Sequence, residues 1–235
     1  MITVGGSSTL HDITFASAPV NEFQDKLAQV MANPLLGSLQ VLRTDSRTLD
    51  TITLLKQKEH AMPAIFLKAA ALPEIHAHKD LNIKVDGYVI DMDVELMAAD
   101  RSDEDRAHHI AMIKEASAGE KQVRIMLRVD LSSDSAVDGI STGSAIGDLC
   151  DAGASIIILE HHSEQGKHID ADKVRETIEE ACYLDISGAP INQRLGLVSQ
   201  DKEAMEVAVE LGCIHYVTNY DNDEDRALIT TLQAQ

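Results

Sequence analysis

The chain has 235 residues, 44% of them apolar and 25% charged, a balance that packs a globular core and excludes wholesale disorder. Asp and Glu number 39 against 20 Lys and Arg, a formal charge of −19. Such a surface repels phosphate backbones and anionic headgroups, so nucleic acid is not an expected partner. With no Trp, three Phe and four Tyr, base-stacking surfaces are not expected either, and the core should be aliphatic.

The opening MITVGGSSTL lacks a basic segment and a long apolar run, so no secretory signal is expected; a removed transit peptide would leave no trace. The first strand is predicted at Thr9–Ser17. Asn21 then caps a helix whose Phe23, Leu27, Val30 and Met31 recur at helical spacing. Strands follow at Leu39–Thr44 and Ala64–Lys68, the latter with only a short helix behind it and a polar tract, His76–Asp86, that suggests a loop. Gly87–Asp93 is the fourth strand, and Ser102 with the acids behind it opens a helix carrying Ile110 and Ile113. Val123–Asp130 and Ser155–Glu160 are the fifth and sixth strands. Asp170 opens a helix with Val174, Ile178, Ala181 and Cys182, and Leu195–Gln200 is the seventh strand. Asp201 opens a helix with Ala204, Val207, Ala208 and Leu211, Ile214–Asn219 is the eighth strand, and a last helix spans roughly 223–232. Gly153 and Gly212 fit left-handed caps at two helix ends.

Near-continuous Val/Ile runs are the signature of parallel strands buried on both faces. Their starts are roughly 20 to 40 residues apart, one βα unit each. Eight such units without a linker or composition break predict an α/β fold, a (β/α)8 TIM-type barrel forming a single domain over 1–235. A doubly wound open sheet is the alternative. Cys150, Cys182 and Cys213 form no CxxC and lie in apolar stretches, which predicts buried, reduced thiols and an intracellular, reducing compartment. No apolar run approaches the ~20 residues of a membrane span.

In a barrel, the C-terminal strand ends form the active face. Polar residues stand at nearly all of them here: His11 and Asp12, Arg43 and Asp45, Lys68, Asp91 and Asp93, Arg128 and Asp130, Glu160 with His161 and His162, Gln200 and Asp201, and Asn219 and Asp221. Side chains alternate along a strand, so Asp91 and Asp93 share a face, as do Arg128 and Asp130. Together these residues could hold a divalent metal or an anionic small molecule, whereas one by one they are ordinary loop polarity and helix caps. Glu160-His161-His162 is the most suggestive cluster, since carboxylate and imidazole ligate Zn²⁺ or Mn²⁺ or exchange protons. Gly139–Asp148 (GISTGSAIGD) is similar to a glycine-rich anion loop but matches neither phosphate fingerprint, which favours a loop with Ser/Thr caps entering a helix. His108-His109 falls mid-helix, on the surface.

The order of elements resembles the hydroxymethylglutaryl-CoA lyase-like barrels, a superfamily of metal-dependent aldolases and Claisen-type lyases. The residues that carry the likeness are SSTLHDITFAS (7–17), DLCDAGASIIILEHHSEQGKHIDADKVRETIEEA from Asp148, and RLGLVSQDKEAMEVAVELGCIHYVTN from Arg194. The resemblance implies that Asp12 stands at the metal-binding carboxylate of a "TLRDG" motif. His11 then stands at the catalytic Arg, Ile13 at the Gly, and Glu160 near the acid ending the sixth strand. Where the family carries His-x-His on its seventh strand, this chain has Leu197-Val198-Ser199-Gln200-Asp201, so the metal imidazoles are expected to be absent.

Two functions of different kinds follow. The first is a lyase that breaks or forms a C–C bond in a small acyl or oxo-acid substrate, a carboxylate or an acyl-CoA. A divalent metal (Mg²⁺, Mn²⁺ or Zn²⁺) would be held by Asp12, Glu160 and His161, with His11, Arg43 and Arg128 as catalytic groups and Lys68 helping to neutralise substrate charge. The second is a catalytically degenerate barrel serving as a structural or regulatory subunit of a larger assembly or as a homo-oligomer, favoured by the altered motifs and a short C-terminus. An unrelated metal-independent barrel enzyme stays open beside both.

Overall fold

The structure, a computed structural model, describes residues 10–13, 38–41, 64–79, 86–97, 103–118, 121–135, 139–184, 191–199 and 201–216. Among the described residues eight strands form one sheet: β1 (Leu10–Ile13), β2 (Ser38–Val41), β3 (Ala64–Lys68), β4 (Gly87–Asp93), β5 (Gln122–Val129), β6 (Ile156–His161), β7 (Leu195–Val198) and β8 (Ile214–Tyr216). Their spatial order is β1 to β8, and each of the seven neighbouring pairs is parallel. A doubly wound sheet reverses its order at a switch point; this one never does. Right-handed crossovers that always step the same way keep the helices on one face, and the other face is then covered only by the sheet curling on itself. The fold is a (β/α)8 TIM-type barrel.

Among the described residues the helices are α1 (Leu72–Lys79), α2 (Asp103–Ser117), α3 (Gly139–Ala152), α4 (Ala171–Leu184) and α5 (Lys202–Glu210), with single 3₁₀ turns at Val94–Met97 and Ile191–Arg194. None is long and apolar enough to cross a membrane. The expected helix at Asn21, the Ser102 cap and the final helix over 223–232 lie outside the described residues.

Strand parity divides the apolar residues into two cores. Tyr88 and Ile90 of β4, Ile125 and Leu127 of β5, and Ile157 and Leu159 of β6 pack outward against Met112 and Ile113 of α2, Ile146 and Leu149 of α3, and Val174 and Ile178 of α4. The alternate residues Phe66, Val89, Met126 and Ile158 form a separate inner cluster, with Ile156 and Val198 packed against it. Each such side chain contributes about 1.5–3 kcal/mol by leaving water. The inner cluster is the floor of the barrel. The Arg124 guanidinium lies 3.6 Å from the centroid of the Phe66 ring there, which lets a buried cation sit in an apolar lumen. Gly87 begins β4 where a Cβ would collide with the Gln122 carbonyl oxygen and lie 2.8 Å from the Phe66 ring.

Local signals fix the helix ends. Asp201 accepts the Ala204 N–H at 2.9 Å, and Asp170 accepts those of Asp172 and Lys173 at 2.8 and 3.3 Å, so both carboxylates serve as N-caps. Gly153 and Gly212 take φ of 112° and 84°. Each lies within a paired 5→2 and 6→1 backbone turn, Gly153 to Cys150 with Ala154 to Leu149, and Gly212 to Val209 with Cys213 to Ala208.

Four expectations change. His76–Lys79 belongs to α1 rather than to a loop, because the Ala71 carbonyl receives Ile75 N–H and Glu74 caps the Ala70 N–H, starting a helix ahead of the polar tract. Gly139–Asp148 is helical throughout: Thr142, Ala145, Ile146 and Leu149 bury one face, and that amphipathic packing overrides the poor helix propensity of its glycines. Cys182 is exposed, with Cys150 half-buried, Cys213 buried and no disulfide among them. It lies close to the C-terminal end of α4, directly after the fully buried Ala181. The core is not purely aliphatic either, since Tyr88 and Phe66 are its two largest fully buried side chains.

Candidate active site

At the C-terminal end of the lumen the same strands exchange apolar for charged residues. Two residues beyond Phe66, Val89, Met126 and Ile158 stand Lys68, Asp91, Arg128 and Glu160, and Asp93 follows Asp91 on the same face. The register sets Asp93 beside Arg128 and Arg128 beside Glu160. The guanidinium of Arg128 lies 3.6 Å from Asp91, 3.7 Å from Asp93 and 3.9 Å from Glu160. Lys68 Nζ pairs with Oδ2 of Asp91, the same oxygen that Arg128 approaches. Two cations therefore share one carboxylate. The three Arg128 contacts exceed hydrogen-bond length, so the guanidinium is held by charge on three sides and committed to none.

Beside this network opens a cleft of about 420 Å³, lined by Asp93, Glu95, Arg128, Asp130, Asp134, His162 and Lys167 among others. Asp130 accepts the Ser132 hydroxyl at 2.6 Å and the Ser132 N–H at 3.0 Å. Burial pushes its carboxyl up, but those hydrogen bonds, with the charge of Lys167, outweigh it and hold the carboxyl below its ordinary range. The Lys167 ammonium hydrogen-bonds Asp134 and lowers that carboxyl as well, against slight desolvation.

Of the residues expected to act, the structure brings Arg128 and Glu160 together and keeps His161 apart from them. His161 follows Glu160 on β6 and so points to the other face of the sheet. Its Nδ1 receives the Leu131 N–H at 3.0 Å and its Nε2 donates to the Lys167 carbonyl at 2.9 Å. That pattern is the neutral, Nε2-protonated ring, whose single lone pair is already used. Asp12 is level with Gln40 and, through it, with Phe66, and His11 with Leu39; only the backbone of β1 is described. Arg43 lies outside the described residues. Among the described residues no group of three or more His, Cys, Asp and Glu is arranged to hold a metal ion. Asp91, Asp93 and Glu160 surround a guanidinium rather than a space of ionic size, so these donors do not fit a divalent cation unless Arg128 leaves.

Lys68, Asp91 and Asp93 are visible in the sequence as strand-end residues, but their joint role around Arg128 is not. His162 belongs to the cluster singled out in the sequence and lines the cleft, whereas Asp134 and Lys167 come from loops without any motif and reach it only through the fold.

The sequence matches no protein-family model and no curated protein. Solved structures do match in shape. The hydroxymethylglutaryl-CoA lyase of Pseudomonas aeruginosa superposes with a TM-score of 0.64 at 13% identity, covering 91% of this chain and 76% of that one. The HMG-CoA lyase of Brucella melitensis gives 0.60 at 11% identity with the same coverage. An aldolase designated QR15 gives 0.56 at 11% identity over the full length of both chains. At such identities the likeness establishes the barrel fold alone.

Proposed function

We propose that the protein is a barrel lyase that breaks or forms a C–C bond in a small acyl or oxo-acid anion bound at the mouth, and that it is a distant relative of the lyases and the aldolase it resembles in shape. The observation that carries this reading is Arg128, loosely placed among Asp91, Asp93 and Glu160 and facing an open cleft. A substrate carboxylate can take a bidentate hold on such a guanidinium by displacing long ion pairs instead of tight hydrogen bonds. Lys68 and Arg128 then offset the negative charge that accumulates when a C–C bond next to a carbonyl breaks. Glu160, beside Arg128 and half exposed, is placed to accept the proton of the reacting hydroxyl.

The divalent metal expected from the family resemblance is not part of this reading. Asp91, Asp93 and Glu160 are turned to Arg128 and Lys68, His161 is bound to the backbone through both nitrogens, and Val198, in the β7 stretch expected to lack the family's metal imidazoles, packs on the apolar floor. The same three facts support the second reading, a barrel that has lost its chemistry and serves as a subunit of an assembly.

Turnover of hydroxymethylglutaryl-CoA and of small oxo acids separates the two. The lyase reading expects C–C cleavage of at least one, with kcat/KM reduced roughly 100-fold or more in Glu160→Gln, and little change on adding Mg²⁺, Mn²⁺ or Zn²⁺. Absence of turnover together with a stoichiometric, co-purifying partner leaves the subunit reading standing.

A further inference from the structure

Breaking a C–C bond needs a group that accepts its electrons, and one described side chain at the mouth has the chemistry to do so. From the geometry around Asp91 we infer that Lys68 is a carbonyl-binding nucleophile, forming an iminium with a 2-oxo acid whose carboxylate rests on Arg128. This rests on the lyase reading and names its substrate class. Three observations lead to it.

Lys68 ends β3 on the lumen face, directly above the buried floor of Phe66, Val89, Met126 and Ile158, and about one third of its side chain is accessible. The floor itself is sealed from water, so a substrate would meet the amine in the charged mouth above it. Next, Lys68 and Arg128 both converge on Oδ2 of Asp91. Two cations that already bracket one carboxylate oxygen can bracket the equally compact unit of a 2-oxo acid, Arg128 taking the carboxylate and Lys68 the adjoining carbonyl. Finally, the Asp91 carboxylate paired with Lys68 is a proton acceptor in direct contact with its ammonium, which amine attack on a carbonyl requires.

The step balances within these groups. The ammonium of Lys68 passes a proton to the Asp91 carboxylate. The free amine adds to the carbonyl carbon, forming the C–N bond while the oxygen takes up a proton to give a carbinolamine. That hydroxyl then leaves as water with the proton returned from Asp91, and a protonated iminium remains. As Glu160 takes the proton of the substrate hydroxyl, the carbon that bears it leaves as a carbonyl fragment, and the electron pair of the breaking C–C bond flows to the iminium nitrogen; the resulting enamine is protonated at carbon and hydrolysed by water to release the 2-oxo acid and Lys68.

The test is reductive trapping on the full chain with pyruvate as probe and cyanoborohydride as the hydride source, read by intact mass and peptide mapping. The expected result is a single adduct mapped to Lys68, absent in Lys68→Arg, which keeps a cation for Asp91, and retained in Lys202→Arg, whose lysine pairs with Glu206 on α5. Arg128→Met should raise the pyruvate concentration needed for half-labelling about tenfold or more. Labelling scattered over surface lysines, or unchanged in a folded Lys68→Arg, overturns the inference, as does the absence of any adduct at Lys68 in the unmodified chain. Turnover that survives Lys68→Arg would remove the iminium and keep the lyase, whereas trapping at Lys68 without turnover would keep the nucleophile and remove the lyase.

Discussion

The floor and the mouth of this barrel are built from the same strands two residues apart, and they are held in opposite ways. In the floor, Phe66, Val89 and Ile158 are fully buried and Met126 nearly so, and their stability comes from close packing that any lost volume disturbs. In the mouth, Lys68, Asp91, Asp93, Arg128 and Glu160 keep a quarter to a half of their side-chain surface in water, where ion pairs contribute little to folding. A scaffold that draws its stability from below can leave the groups above it free to exchange partners.

Three measurements probe that difference. The largest effect is expected from Phe66→Ala, which empties the floor and removes the ring beneath Arg124. It should cost about 3–5 kcal/mol in denaturant unfolding; a cost below about 1 kcal/mol would mean that the floor is not a packed core. Much smaller is the expected effect of Asp93→Asn, which removes one long ion pair of Arg128. Stability should change by no more than about 1 kcal/mol and converge with the parent at high salt, and a loss as large as that of Phe66→Ala would erase the contrast between the two regions.

The smallest effect concerns acid. The folded carboxyl of Asp130 titrates below its ordinary value of 3.8, so its contribution to stability is complete above that value and disappears as pH falls through the lower folded pKa. The gap in urea midpoint between the parent and Asp130→Asn should therefore narrow on acidification from about pH 6 towards about pH 3. A gap that widens would reverse the sign of the shift.

Much of the fold was legible because its causes are local. GYVIDMD and SIIILE are apolar enough to be strands buried on both faces, and Asp170, Asp201, Gly153 and Gly212 announce helix ends through their own hydrogen bonds and φ angles. Misreadings arose where packing overrode composition. GISTGSAIGD is glycine-rich yet helical because its other face is buried, and Cys182 follows the apolar period of α4 yet is exposed beside the buried Ala181. The site was legible only as a set of strand-end residues. Glu160 and His161 are adjacent in sequence and so suggest a joint site, but the pleat sends them to opposite faces, and His161 then finds Leu131 and the Lys167 carbonyl.

By itself, then, the sequence determined that eight apolar strands would alternate with helices and that charge would gather at the strand ends, because hydrophobic period and capping chemistry act over a few neighbouring residues. Only the tertiary structure decided that Arg128 would stand among three carboxylates and share Asp91 with Lys68. Those contacts join β3, β4, β5 and β6, and the distances between strands follow from how the sheet pairs and curls, which no single segment encodes.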